Sequence, residues 1–266
     1  MEVQKIAIID LDSLCYTAFH PNKQLDEFGI PMRTEDNTKF LYVDKSEEEI
    51  ELSCDNLMRM VLENSKATHY LAFIKGKNTI ARKLAVDPTY KQDRTKESPK
   101  MWGFTKDYFI KKYGAIEVHD IEVDDAVNIA RLNIPDAFIC AIDSDLLGLE
   151  GTHYNWKTGN WVTCTKEEEL FKFWKDMIQG THNNTKGIKG RGKKYVEKLF
   201  TNVEVNDCEK IVLDEYLNYF GKEKGDAEYM KNYICLKILD SYEGMEFITP
   251  IKSTEVYART LGVVGE

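Results

Sequence analysis

The chain predicts an α/β domain with a mainly parallel sheet, followed by a helical C-terminal region. Three observations carry that prediction. Short apolar runs alternate with amphipathic helical stretches, the pattern of strands buried between helices. Two of those runs stop directly on an aspartate, at Asp10 and Asp143. After Thr165 the strand signals give way to helical periodicity. The boundary therefore falls between residues 1–164, an α/β domain, and residues 165–266, a helical region.

In order along the chain, Lys5–Ile9 (KIAII) reads as a buried strand. Ser46 with Glu49 three residues later is a capping box. Ile50, Leu57, Met58, Val61 and Leu62 form the apolar face of the helix it starts. Tyr70–Ile74 (YLAFI) reads as a second strand, and Pro99 to Tyr113 as a helix stopped by Gly114. Ala115–Val118 is a strand candidate. Asp124 to Leu132 is helical, and Ala137–Ile142 (AFICAI) is another buried strand. His153–Trp156 and Asn160–Thr163, joined through a Lys-Thr-Gly turn, make a hairpin. Thr165 with Glu168 caps a helix reaching Gln179. Further helices are expected at about Lys193–Phe200, Cys208–Phe220 and Ala227–Leu239. Beyond Ser241 there is little periodicity.

Composition narrows the class. At roughly 150 residues per domain, 266 residues make one large domain or two small ones. A 42% hydrophobic and 30% charged chain has enough apolar material for a sizeable core. No run approaches the ~20 apolar residues of a membrane span, and MEVQKIAIIDLD lacks a signal-peptide layout. The six cysteines are too far apart for CxxC metal or redox spacing. Reduced, buried thiols in a cytoplasmic, non-membrane protein are the expectation.

The net charge of −9 hides a segregated pattern. Residues 75–112 carry a net +7 and residues 186–198 a net +5, whereas residues 117–150 carry −8. A charge run is ordinarily a solvated face. Two basic blocks flanking an acidic one suggest a polyanion held by the first and cations held by the second.

The acidic block supplies the candidate chemistry. Asp10 and Asp143 end strands, Asp145 follows by two residues, and Glu122, Asp124 and Asp125 open a helix. Parallel sheets bind ligands at the carboxyl ends of their strands. Carboxylates crowded there call for a hard divalent cation such as Mg²⁺ or Mn²⁺. The plainer alternatives are that Asp10 caps the next helix and that Asp124 and Asp125 complement a helix dipole.

In the first basic block, Arg82, Lys91 and Arg94 surround an Asp-Pro-Thr-Tyr turn ending at Tyr90, and suit phosphate contact from one face. In the second, Gly187, Lys189, Gly190, Arg191 and Gly192 precede a helix with Lys193 and Lys194 in its first turn. Cations there oppose the helix dipole, so their placement suggests an external anion. The segment is similar to the hairpin of a helix-hairpin-helix motif, which grips DNA backbone.

The order of these motifs resembles the flap endonuclease-like 5′→3′ exonuclease family, particularly its small phage-encoded members. The matching pieces are IAIIDLDSL, ARKLAVDPTYKQDR, IEVDDAVNIA, AIDSDLLGL, the hairpin at residues 154–162 and QGTHNNTKGIKGRGKKYVEKL, together spanning about residues 5–200. The resemblance implies a PIN/5′-nuclease-like fold and hydrolysis of DNA phosphodiesters from the 5′ side, at 5′ ends, flaps or branched duplexes. It implies Mg²⁺ or Mn²⁺ on Asp10, Glu122, Asp124, Asp125, Asp143 and Asp145. Lys91 would meet the scissile phosphate, supported by Arg82 and Arg94. The glycine hairpin, with Tyr90, would contact DNA, with K⁺ between hairpin backbone and phosphate. A monomer in the bacterial host cytoplasm is the expected setting, and an RNA–DNA hybrid is an alternative substrate.

Three positions depart from the family pattern. Lys75 stands where the family has an Asp after the second strand, and Thr181 and Asn184 stand at two further Asp positions. One metal site, centred on Asp124, Asp125 and Asp143, is expected to be retained. A second, using Asp143 and Asp145, is expected to be weakened, with Lys75 either lying in the site as a substitute cation or swinging out to a phosphate. The alternatives are a DNA-binding pseudonuclease of the same fold and a single-metal or RNA-directed nuclease.

Overall fold

The computed structural model describes residues 5–92, 99–181, 185–243, 245 and 249–254. Arg94 and Asn184 lie outside these residues. Strand β1 (Ile6–Asp10) is buried at every position, as a strand covered on both faces must be. It pairs in parallel with β4 (His69–Lys75) on one side and β6 (Ala137–Ala141) on the other. Parallel β5 (Ile116–Val118) and β7 (Gly151–Asn155) extend the sheet outward from β4 and β6. Antiparallel β8 (Asn160–Cys164) closes one edge through the expected hairpin. The strand order β5-β4-β1-β6-β7-β8 reverses direction at β1, which opens a crevice at the carboxyl ends of β1 and β6.

Alternation along β1 divides the core in two. Ala7 and Ile9 join helices α1 (Leu11–Phe19), α2 (Glu47–Ser65) and α4 (Trp102–Tyr113) on one face. Ile6 and Ile8 join α5 (Val123–Asn133) on the other. The capping box that starts α2 is formed, with Glu49 N–H donating to Ser46 Oγ and Ser46 N–H to Glu49 Oε2. Asp55 of α2 accepts from Tyr108, Tyr113 and Lys112 of α4, pinning the two helices together. Gly114 ends α4 in the left-handed conformation.

A third apolar cluster joins α7 (Lys166–Gln179), α8 (Lys193–Leu199), α9 (Cys208–Phe220) and α10 (Lys222–Leu236). The last helix starts five residues before the expected Ala227, because Gly225 is not a breaker. A Cβ there would lie 2.8 Å from Leu217 Cα and from Tyr216 O, so glycine lets α10 approach α9. Two features escaped the sequence reading. Short strands β2 (Asn22–Lys23) and β3 (Tyr42–Val43) pair between α1 and α2, and β9 (Ile251–Lys252) adds to β4 beyond Ser241. Each strand has two residues, too few to show a period.

Between α7 and α8 the backbone crosses itself. Gly180 and Lys186 form an isolated bridge, and Ile188 N–H donates to Ile178 O at 2.8 Å. A Cβ on Gly187 would lie 2.2 Å from Ile178 O and 2.3 Å from Gly180 N, so no side chain fits. Gly190, at φ +83° with open space around it, needs only the left-handed backbone. Gly187→Ala should therefore cost more than about 2 kcal/mol in urea unfolding, and Gly190→Ala only about 1 kcal/mol. Equal losses would show that the crossing is not the constraint.

Candidate active site

A cleft of about 1000 Å³ opens at the carboxyl ends of β1 and β6, its walls including Asp10, Asp12, Lys75, Lys91, Glu122, Asp124, Asp143 and Asp145. Asp10 accepts from Asp12 N–H at 3.0 Å, and Asp143 accepts from Asp145 N–H at 2.7 Å. Both acids thus cap the helices that follow them, including the four-residue α6 (Ser144–Leu147). Burial, with Asp12 and then Asp143 nearby, pushes the Asp10 carboxyl up to about 7. Burial followed by Asp10, Asp143 and Glu122 holds Asp124 well above the usual carboxylate range. Asp10 and Asp124 are therefore under-neutralised, and Asp143 adds a third carboxylate beside them from a separate element.

The other predicted acids have partners within the chain. Glu122 receives the ammonium groups of Lys83 and Lys91, the latter at 2.5 Å. Burial pushes its carboxyl upward, but Lys83 and then Lys91 outweigh burial and hold it below the usual carboxylate range. Asp125 does not line the cleft. Its Oδ1 accepts from Leu239 N–H at 2.8 Å, its Oδ2 accepts from Glu122 N–H at 3.1 Å, and Arg82 lies 3.7 Å away. Asp145 accepts from Lys172 at 2.8 Å.

The predicted cations separate in the same way. Arg82 sits on the short helix α3 (Ala81–Leu84) and donates to the Ile234 and Lys237 carbonyls at the end of α10. Tyr90 is only 3% exposed and forms part of the wall, with Lys83 and Lys91 about 5 Å from its ring. Lys91 holds a left-handed backbone at φ +56°, which costs a non-glycine residue about 1 kcal/mol or more. Lys75 ends β4 with an exposed side chain beside Asp12, and its N–H donates to Asp12 Oδ1 at 2.9 Å. Arg191 pairs with Glu215 at 3.1 Å and lies over Tyr195. Lys189, Lys193 and Lys194 are exposed, and Lys193 has only a 3.9 Å contact with Glu197.

Sequence reasoning missed Asp12, Lys83 and Lys172. Asp12 was legible, since it follows Asp10 by two residues at the same strand end. Burial is the main cause raising its carboxyl, against lowering by Lys75. Lys83 and Lys172 carried no local signal, because their partners lie 39 and 27 residues away along the chain.

No protein-family model matches the sequence, and no curated protein sequence matches it significantly. Solved structures do. A mutant 5′-exonuclease of bacteriophage T5 aligns over 99% of this chain and 94% of its own, at 11% identity and a TM-score of 0.55. A flap endonuclease pseudo-enzyme of phage T5, solved with product DNA and metal ions, aligns over 98% and 93%, at 15% identity and a TM-score of 0.58. A phage T5 protein co-crystallised with metal ions covers 98% and 94%, at 13% identity and a TM-score of 0.59. This chain has the flap endonuclease-like 5′-nuclease fold. No helix among the described residues is long and apolar enough to cross a membrane.

The site makes opposite demands on two neighbouring acids. Asp124→Asn removes repulsion without removing a hydrogen bond given to it by any of the described residues, so thermal stability without added metal should hold or rise. Asp125→Ala strands two backbone donors and should cost about 2–4 kcal/mol. A stability loss at Asp124 equal to that at Asp125 would refute this division.

Proposed function

We propose that this chain is a divalent-cation-dependent DNA 5′-nuclease, acting as a 5′→3′ exonuclease or flap endonuclease, with its second cation position weakened. The observation that carries this reading is the grouping of under-neutralised Asp10 and Asp124 with Asp143 in an open cleft at the sheet's switch point. The donor set fits a hard cation. Among the described residues no three His, Cys, Asp or Glu side chains form a ready-made cage. Mg²⁺ suits such a place, because it binds through one or two carboxylates and keeps several waters and substrate phosphate oxygens. Asp10, Asp124 and Asp143 would hold it, and Asp125, with both oxygens engaged by backbone donors, would not. Bound there, a divalent cation supplies Lewis-acid stabilisation of phosphodiester oxygens.

The chain's own residues do the rest. Lys91 donates to Glu122 but also lines the cleft, so it can exchange that carboxylate for a substrate phosphate. Lys83 stays on Glu122 and prevents a buried unpaired anion when Lys91 moves. Arg82 anchors the end of α10 and supports the site indirectly. Lys189, Lys193 and Lys194 present exposed charge for duplex backbone, as in a helix-hairpin-helix, with K⁺ as a further ligand there. The pseudonuclease alternative has one specific support, since the chain already neutralises Asp145 with Lys172.

Cleavage of 5′-flap and blunt duplex DNA, assayed separately with Mg²⁺ and Mn²⁺, tests the proposal. Binding without cleavage in either metal would select the pseudonuclease. Lys91→Ala should slow single-turnover cleavage by about 10² or more, as expected for one lost charge contact in the transition state. An unchanged rate would remove Lys91 from the reaction. Neutralising Lys193 and Lys194 should weaken binding alike for all sequences and lower the salt slope by about one unit per lost phosphate contact. Losses that vary with sequence would contradict backbone gripping.

A further inference from the structure

Of the two acids directly after β6, Asp143 and Asp145, Asp145 is the one paired with a cation among the described residues. Lys172 of α7 donates to Asp145 Oδ1 at 2.8 Å and to Asp176 Oδ2 at 3.0 Å, bridging two carboxylates as a bound cation would. Asp176 is fixed from its other side by Gln179, at 2.9 Å from Oδ1. The lysine stem has its own seat. A Cβ on Gly148 would lie 2.7 Å from Lys172 Cδ, so only glycine leaves room for the methylenes at that place. Thr181 lines the same cavity as Asp145, Lys172 and Asp176. Its hydroxyl accepts from Thr185 N–H at 3.2 Å, so it supplies no charge.

We propose that Lys172 is a built-in cation, holding by covalent attachment the position beside Asp145 where a second divalent ion would otherwise bind. The inference rests on the single-cation reading of the Asp10–Asp124–Asp143 trio and extends it. It assigns the neutralising role to Lys172 on α7, whereas the sequence pointed to Lys75. Lys75 lies beside Asp12 at the end of β4 instead. An ammonium has the charge to hold Asp145 and Asp176 together, but it presents no vacant coordination position to a phosphate oxygen. The cleft would thus load one exchangeable divalent ion, and Asp145 would position Lys172 rather than ligate.

Counting bound Mn²⁺ on the full chain by equilibrium dialysis, with electron paramagnetic resonance of the free ion, tests this without reference to activity. The wild type should bind one ion. Lys172→Met, which keeps the apolar stem over Gly148, should bind two, and adding Asp145→Asn should return the count to one. Lys172→Arg keeps the charge and should stay at one. Thermal melting provides the second readout, since added Mn²⁺ should raise the melting temperature of folded Lys172→Met more than that of the wild type. One ion in both wild type and Lys172→Met, with equal metal-induced melting shifts, would overturn the inference and leave the single-cation reading standing. Two ions in the wild type would overturn the inference directly. No ion in the wild type would overturn both readings.

Discussion

Asp10 and the Asp143 that follows β6 stand at the carboxyl ends of adjacent parallel strands, and Asp124 is coupled to both from the first turn of α5. Their repulsion sets what the surrounding residues must do. Most nearby carboxylates outside this trio are answered by the chain: Glu122 by Lys83 and Lys91, Asp125 by backbone donors and Arg82, Asp145 by Lys172, whereas Asp12 accepts from the Lys75 amide and is still raised by burial. Helix starts contribute too, since the amides of Asp12 and Asp145 donate to Asp10 and Asp143. These bonds offset part of the charge, but burial still holds Asp10 and Asp124 above their ordinary range. Unrelieved acids in an open cleft mark where positive charge from outside is needed.

The same arrangement ties the helical region to the sheet. Arg82, beside the cleft, caps the end of α10, and Asp125 accepts from Leu239 just beyond it. Asn128, one turn along α5, donates to Leu239 O and to Asp240. Residues 237–240 are therefore held by the helix whose first turn carries Asp124. Arg82 and Asp125 thus join the end of α10 to the first turn of α5 by direct hydrogen bonds and the ion pair between them.

Much of this was legible in the sequence, for physical reasons that differ by feature. Parallel strands buried on both faces read as continuous apolar runs, so β1, β4 and β6 fell within a residue of their places. Capping boxes are local chemistry, and Ser46 with Glu49 and Thr165 with Glu168 located two helix starts. The carboxyl-end rule brought Asp10, Asp143 and Asp145 to one cleft before any coordinates. What escaped was the pairing of charges. Adjacent residues of one motif, Asp124 and Asp125, point to different tasks, because successive side chains on a helix are separated by ~100°. The basic block likewise splits, with Arg82 turned to α10, Lys91 to Glu122 and Arg191 to Glu215. Spacing in sequence places a charge on an element, and only the packed fold chooses its partner.

That choice of partners bears on what a carboxylate count can mean. Six acids at the right ends of the right elements look like a full ligand set for two ions. In the folded chain three of them, Glu122, Asp125 and Asp145, are paired with cations of the chain, and removing the partners of buried Glu122 or Asp125 would leave a buried charge unmatched. Capacity for an external cation is therefore set by the charge left over after internal pairing. On that measure the trio of Asp10, Asp124 and Asp143 would be open to a divalent ion, while the position beside Asp145 already holds the Lys172 ammonium. A cleft carrying fewer free carboxylates also repels an incoming phosphate less, and Lys91 and Lys75 then meet the polyanion with less opposition.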